Sequence, residues 1–327
     1  MQGRGIEVKA AYYLESGGPD ALYYGSVPDP ALAEDAVLIR VEYISVEGMD
    51  MVCRYLAPLT EEQHVAGCQA AGTVEALGGA VTGFRVGDRV VGFNFGGSHA
   101  ELFAAPQGSV WHVPEGLDLA LAAVIPLTFG TAHECLHAFG QVRPGMDVLI
   151  HGATLGVGIA AVQLGRAAGA RLTGTALGDD RLARIAPLGL DHAIDYRGAD
   201  KTKRLREITF GKGFDLVVDS GTGMEKDSIV AGVRPGARYA VAGVASPKTP
   251  QFGYFELISH GLTVSGITIA HAMHTPRGHA VVSELLESAA RGEIEMPIEH
   301  EFALCEAEEA HRFVMEGHPF GRVVMRP

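Results

Sequence analysis

Four cysteines in 327 residues, at positions 53, 68, 135 and 305, are too few and too scattered for a disulfide framework. No CxxC pair is present to build a zinc knuckle. This usage points to a reducing compartment, most simply the cytoplasm. No uncharged apolar stretch reaches the ~18 residues that a membrane helix needs. Met1 to Tyr13 contain no apolar segment of the secretory kind. Positive charge is also scarce: 26 Lys and Arg stand against 39 Asp and Glu, a net charge of −13. Nucleic acid and anionic membrane are polyanions, so a chain this acidic is not expected to coat either. With 47% apolar and 20% charged residues, long disorder is excluded as well.

Glycine is plentiful, at 43 residues, and calls for many tight turns. At ~150 residues per domain the length suggests two domains. The first part reads as short strands cut by turns, for example Ala36 to Val41, Gly72 to Leu77 and Arg89 to Phe93, a barrel-like β pattern. The middle alternates strand and helix. Strands are expected at Val148–Ile150, Arg171–Thr175, His192–Ile194, Phe214–Asp219, Arg238–Ala242 and Leu262–Val264. Helices are expected over Ile159–Ala168 and Asp180–Ala186. Such alternation means a doubly wound parallel sheet, so the fold class is α/β. The tail is mixed: a helix over Arg277–Arg291, a strand at Phe302–Leu304, a helix over Glu306–Met315 and a last strand at Arg322–Met325.

The most informative stretch runs from Asp147 to Gly169. A buried strand enters a glycine-rich turn and leaves as a helix, and Gly156-Val157-Gly158-Ile159-Ala160-Ala161 reads G-x-G-x-x-A. A Cβ in that turn would hold a phosphate off the backbone, and the helix N-terminus adds partial positive charge. The site is therefore expected to take the pyrophosphate of a dinucleotide. The next strand ends in Ala176-Leu177-Gly178 without the acid that usually meets a ribose 2′-hydroxyl. Arg181 follows, although Asp179 and Asp180 precede it. A missing acid and a nearby guanidinium favour NADPH over NADH.

Other residues fit a known pattern: Asp50 and Arg54, Gly67, Gly72, Val74, Gly78 and Val81, and Phe84-Arg85-Val86-Gly87-Asp88-Arg89-Val90. Further along come Pro126-Leu127-Thr128, Gly156-Val157-Gly158, Asp195-Tyr196-Arg197, Asp219-Ser220, Gly243 and Gly321-Arg322-Val323-Val324. With these residues the chain resembles the medium-chain dehydrogenase/reductase superfamily, and within it the zinc-independent quinone oxidoreductase-like branch. The resemblance implies a GroES-like catalytic domain from residues 1–124 and 265–327, and a Rossmann domain from 125–264. A cleft between them would hold the nicotinamide. Residues in contact with the cofactor would be Thr131, Gly156, Val157, Gly158, Gly178, Arg181, Tyr196, Ser220, Gly243, Val244, Ile267 and Ile269, with Tyr196 near the 2′-phosphate. The last strand of the Rossmann sheet would pair with its mate in a homodimer.

The same resemblance exposes departures. The zinc branch has a Cys where Glu47 stands, a His where Cys68 stands and a Cys where Leu127 stands, so no metal is expected. The quinone reductases carry tyrosines near Val52 and Pro58 that are missing here, and Leu155 occupies a usual glycine of the turn. Glu47, Asp50, Arg54 and Tyr55 are the candidate catalytic groups. Asp50 and Arg54 are read as an ion pair, and Glu47 as an acid if partly buried. His133-Glu134-Cys135-Leu136-His137 spells H-E-x-x-H, but Arg143 stands at the third-ligand spacing and the match reads as coincidence. His271, His274 and His279 read as surface histidines. The expected activity is hydride transfer from NADPH to a quinone or an α,β-unsaturated carbonyl without zinc. The alternatives are an alcohol dehydrogenase with one residual zinc and a non-catalytic dinucleotide-binding protein.

Overall fold

The computed structural model describes residues 7–327 apart from 57, 60, 199, 222–225, 244–250 and 318. The chain forms two units, Met1–Leu127 with His271–Pro327, and Thr128–Ala270.

The first unit opens with β1 (Glu7–Tyr13), β2 (Tyr23–Pro28) and β3 (Ala36–Ser45), followed by α1 (Gly48–Leu56). Then come β4 (His64–Val65), β5 (Gln69–Leu77), β6 (Arg89–Phe93), β7 (Leu102–Pro106) and β8 (Val110–His112). Along β3, Val37, Ile39 and Val41 turn inward, and Arg40 turns out to meet Glu75 at 2.9 Å, the period-two alternation of a half-buried strand. Ile39, Val74, Val90, Phe103 and Val110 meet in its core.

α2 (Leu119–Phe139) begins at Asp118, whose carboxylate accepts from the amides of Ala120 and Leu121. By length and composition alone it could cross a membrane, but 83% of its most apolar window is buried, as in a core helix.

The second unit alternates β9 (Asp147–His151), α3 (Gly156–Ala167), β10 (Arg171–Ala176), α4 (Asp179–Ile185), β11 (His192–Asp195) and α5 (Lys201–Ile208). It continues with β12 (Phe214–Asp219), α6 (Lys226–Val230), β13 (Val233–Val241), α7 (Tyr254–His260) and β14 (Thr263–Gly266). The six strands are parallel in the order β11-β10-β9-β12-β13-β14, the doubly wound order of a Rossmann sheet. Every residue of β9, at its centre, is buried. The sequence places the start of the first helix at Ile159, yet α3 begins at Gly156. Glycine is a poor helix former, and here packing overrides propensity. A Cβ on Gly158 would lie 2.2 Å from the Gly152 carbonyl oxygen, so only glycine lets the helix settle onto the strand exit.

The chain returns to the first unit with α8 (Pro276–Ala290), β15 (Ile298–Ala303), α9 (Ala307–Gly317) and β16 (Arg322–Arg326). α8 is capped by Thr275 and buries Val282, Leu285, Leu286 and Ala289. β16 pairs antiparallel with β3, which extends the N-terminal sheet to β15-β16-β3-β5-β6-β8, with β7 also on β3. His279 is not the surface histidine the sequence suggests. Its ring stacks on Trp111 at 5.1 Å, and its carbonyl accepts from the indole N–H.

Gly158→Ala is expected to lower the stability of the chain by about 2 kcal/mol or more, because backbone cannot yield to the new methyl. Gly48→Ala, with nothing within 4 Å of the added Cβ, should stay within about 0.5 kcal/mol. Denaturant melts of the two variants check this.

Candidate functional site

In the second unit, β9 ends at His151 and the chain turns through Gly152 at φ +75°. A Cβ there would lie 2.9 Å from the Gly221 amide and 3.0 Å from the Ser220 hydroxyl. Leu155, the residue before α3, is extended (φ −88°, ψ 162°) and caps nothing with its side chain. At that φ no glycine is required, which accounts for the leucine. A hydrocarbon cap leaves the first amides of α3, those of Gly156, Val157 and Gly158, open to a ligand. Twelve residues of aligned peptide dipoles lie behind them.

Two of the other cofactor candidates, Ser220 and Gly243, pack at this turn. Ser220 spends its hydroxyl on the carbonyls of His151 (2.9 Å) and Gly152 (3.1 Å), so it holds the turn in shape. Gly243 passes close to it: a Cβ there would meet the Ser220 carbonyl at 2.4 Å. The Ile267 amide bonds to the Val241 carbonyl at 2.8 Å. Thr131 Oγ1 accepts from the Ile269 amide at 3.4 Å, and the Ile269 side chain is fully buried. Val244 lies outside the described residues.

At the end of β10, Gly178 takes φ +84°, and Arg181 sits within α4. The Tyr196 amide donates to the Ala176 carbonyl at 3.3 Å, and its ring lies 5.5 Å from that of His151. His151 was not picked out from the sequence. It is buried at the tip of β9, its Nδ1 2.7 Å from Thr175 Oγ1. Arg197 was missed too, though it belongs to the Asp195-Tyr196-Arg197 triplet that carries the resemblance. Its Nε lies 3.0 and 3.1 Å from the two Asp195 carboxylate oxygens. That guanidinium, chiefly, holds the Asp195 carboxyl down to about 2.

In the first unit the catalytic candidates lie on or just before α1, and most are locked in place. Glu47 is buried. Its carboxylate accepts from the Ser45 hydroxyl at 2.6 Å and forms an ion pair with Arg322 on β16. The expected free acid is thus half of a buried ion pair. The expected Asp50–Arg54 ion pair is also corrected, for no such bridge exists among the described residues. Arg54, fully buried, instead donates from Nε to the Gly17 carbonyl at 3.0 Å, to His311 Nδ1, and to the Met315 sulfur. Tyr55 is the exposed one of the four, with Arg54 over its ring at 5.6 Å.

Asp50 Oδ2 accepts from the Glu47 amide at 2.7 Å and lies 3.8 Å from His99 Nε2. His99 Nε2 in turn is 2.9 Å from His311 Nε2, and its Nδ1 is 3.3 Å from Ser98 Oγ. Arginine only donates. His311 Nδ1 must therefore accept, so its Nε2 carries the hydrogen and gives it to His99 Nε2. Burial pushes the Asp50 carboxyl up to about 7, with hydrogen bonding to Cys68 opposing the rise. Burial, helped by Arg54, drives His99 down to about 3, and burial drives His311 well below the usual imidazole range.

Asp50, His99 and His311 are the one group of three potential metal ligands gathered within 4.8 Å among the described residues. The tautomers argue against a cation there: the His311 nitrogen that faces the group carries hydrogen, and Arg54 adds a positive charge behind it. The three positions that bind zinc in the zinc branch do not fit that metal either. They hold the Glu47 carboxylate engaged by Arg322, a buried Cys68 thiol that shares hydrogen bonds with Cys53 and Asp50, and the hydrocarbon of Leu127. In the HExxH stretch the rings of His133 and His137 lie 4.6 Å apart, and no third ligand joins them among the described residues.

Residues 33–115 match the alcohol dehydrogenase GroES-like domain model, and residues 156–287 match the zinc-binding dehydrogenase model. A quinone oxidoreductase of Pseudomonas aeruginosa is 30% identical over 98% of this chain and 99% of its own length. The chain belongs to the medium-chain dehydrogenase/reductase superfamily. Another relative, a 2-haloacrylate reductase of a Burkholderia species, is 31% identical over 98% of this chain and 99% of its own. A mycobacterial protein solved with NADPH superimposes with a TM-score of 0.91 at 28% identity, covering 98% of this chain and all of that one (100%). As a member of this superfamily the protein is an oxidoreductase, with a GroES-like domain and a Rossmann sheet.

A carboxyl whose folded pKa is raised stabilises the fold below its unfolded value and loses that contribution as pH rises through the folded one. Replacing Asp50 by Asn should remove this dependence. The stability of wild type relative to D50N is expected to fall by up to about 1.4 kcal/mol per pH unit between its ordinary value of 3.8 and about 7. His99 and His311 act in the opposite sense in both proteins, and the part they share drops out of the difference. Chemical denaturation across that range measures it.

Proposed function

We propose that the protein is a zinc-free, NADPH-dependent reductase of quinones or α,β-unsaturated carbonyls. The observation that carries the reading is the uncapped N-terminus of α3, seated on Gly152 where no Cβ fits. The amides of Gly156 to Gly158 would hold the pyrophosphate, and Ser220 and Gly243 keep that turn open by closing ranks behind it. Arg181 and Tyr196, near the end of β10, would face the 2′-phosphate side. When bound, the nicotinamide supplies hydride.

The donor set at the three zinc positions supports chemistry without a Lewis acid, so the acceptor must itself be activated. A quinone or an enone is. Of the four candidate groups, Glu47 is committed to Arg322, and Asp50 and Arg54 are buried, which leaves Tyr55 as the accessible hydroxyl. A quinone needs no protein acid, because its reduced anion is stabilised and takes its proton from water. The protein's task is then to bind the acceptor in position and exclude competing reactions. The names of the Pseudomonas and Burkholderia relatives fit both acceptor types.

We further propose a homodimer and a cytoplasmic setting. β14 is one edge of the parallel sheet, and α7, just before it in the chain, presents Tyr254, Phe255 and Ile258 largely to solvent, an apolar patch that a second copy would cover. The four cysteines are all free thiols, as a reducing compartment allows.

The experiment is oxidation of NADPH, followed by nicotinamide absorbance, with a panel of quinones and enones. Turnover with at least one quinone, slower turnover with NADH, and no loss after dialysis against a strong zinc chelator are expected. No turnover with any acceptor, or activity that a chelator abolishes and zinc restores, would contradict the reading.

A further inference from the structure

We propose that Arg197 binds the 2′-phosphate of the cofactor and that Asp195 holds its guanidinium ready for that contact. The inference deepens the dinucleotide reading given above and rests on it. The parallel register pairs Ala176 with Asp195, which sets the ends of β10 and β11 side by side. The ribose of a Rossmann-bound dinucleotide is read at the end of the strand that follows the glycine-rich helix, and here that strand is β10. Its tip offers no acid at Ala176, Leu177 or Gly178. The guanidinium of Arg197 reaches across from β11 instead. Its Nη2, which also donates to Asp195 Oδ2, lies 3.4 Å from the place a Cβ would take on Gly178. With φ at +84°, Gly178 is kept as glycine by its backbone, and its lack of a side chain leaves that nitrogen room.

Arg197 is well presented for a phosphate. Its side chain is 62% exposed, and its Nε lies within 3.1 Å of both Asp195 oxygens, which fixes the plane of the fork. A planar fork matches phosphate oxygens better than an ammonium does. Held by Asp195, the arginine gives up less conformational freedom on meeting the ligand. A plain ribose hydroxyl gains far less from the same cation than a phosphate dianion does. Arg197 would therefore act on the choice between the two cofactors, while the pyrophosphate contacts on α3 serve both.

The test uses two mononucleotide halves of the cofactor, 2′,5′-ADP and 5′-AMP, titrated by calorimetry into the full-length wild-type, Arg197→Ala and Arg197→Lys proteins. Arg197→Ala is expected to weaken 2′,5′-ADP at least ~10-fold, the loss of one charge-assisted bond, and to leave 5′-AMP unchanged. Arg197→Lys should recover part of the loss, since charge returns without the fork. Unchanged affinity for 2′,5′-ADP in the alanine variant would overturn the proposal, and so would an equal loss for both nucleotides. A wild-type protein that binds neither nucleotide would show that the parent reading has failed. One that binds both, with a ratio Arg197→Ala does not alter, would show that only the role of Arg197 has.

Discussion

The contact on which the second unit depends is between two stretches of backbone: Gly158 on α3 against the carbonyl of Gly152, where β9 ends. A side chain on Gly158 would push the helix off the strand, and one on Gly152 would strike Ser220 and Gly221. Because both are glycine, the helix starts directly above the central strand of the sheet and its first amides emerge where strand order reverses. Leu155 contributes by omission, since a Ser or Asp at that place would cap the helix and occupy those amides. Ser220, Gly221 and Gly243 crowd the other side of the same turn and give it no room to collapse. The geometry of this turn is thus a consequence of packing.

The first unit is organised by a different constraint. Arg54, a donor-only cation, sits fully buried, and it donates to neutral groups, among them a carbonyl, an imidazole nitrogen and a thioether. Burying a charge without a counter-ion is costly unless hydrogen bonds saturate it, and that requirement explains the chain that runs from Arg54 through His311 and His99 toward Asp50. The chain ties α1 to α9 and to the loop between β6 and β7 that carries His99. The residues that look catalytic in the sequence are in good part the struts of this unit. Glu47 and Arg322 solve the same problem differently, as a buried ion pair that ties the start of α1 to β16.

The legible and the illegible parts of the sequence divide along the same line. The strand–turn–helix at Asp147–Gly169 and the six-strand alternation depend on residues close in sequence, and they read directly. The start of α3 did not, because propensity argues against glycine and only packing argues for it. Asp50 and Arg54 stand four apart on a helix, a spacing that suggests an ion pair. Arg54 instead meets His311, which belongs to the far end of the chain and leaves no local signal. Helix α2 runs unbroken across position 124, where Pro126 and the composition suggested a boundary, and the units divide at 127/128 and 270/271. The sequence shows Arg197 only as a neighbour of Tyr196, and it takes the register of β10 with β11 to bring it beside Gly178.

The central claim is that a pyridine dinucleotide is held by the open amides of α3. Calorimetric titration of the purified chain with NADPH addresses it most directly. The account predicts saturable binding of one nucleotide per chain, tighter than NADH under the same conditions. Absence of heat and of saturation with both nucleotides, in a protein shown to be folded, would contradict it.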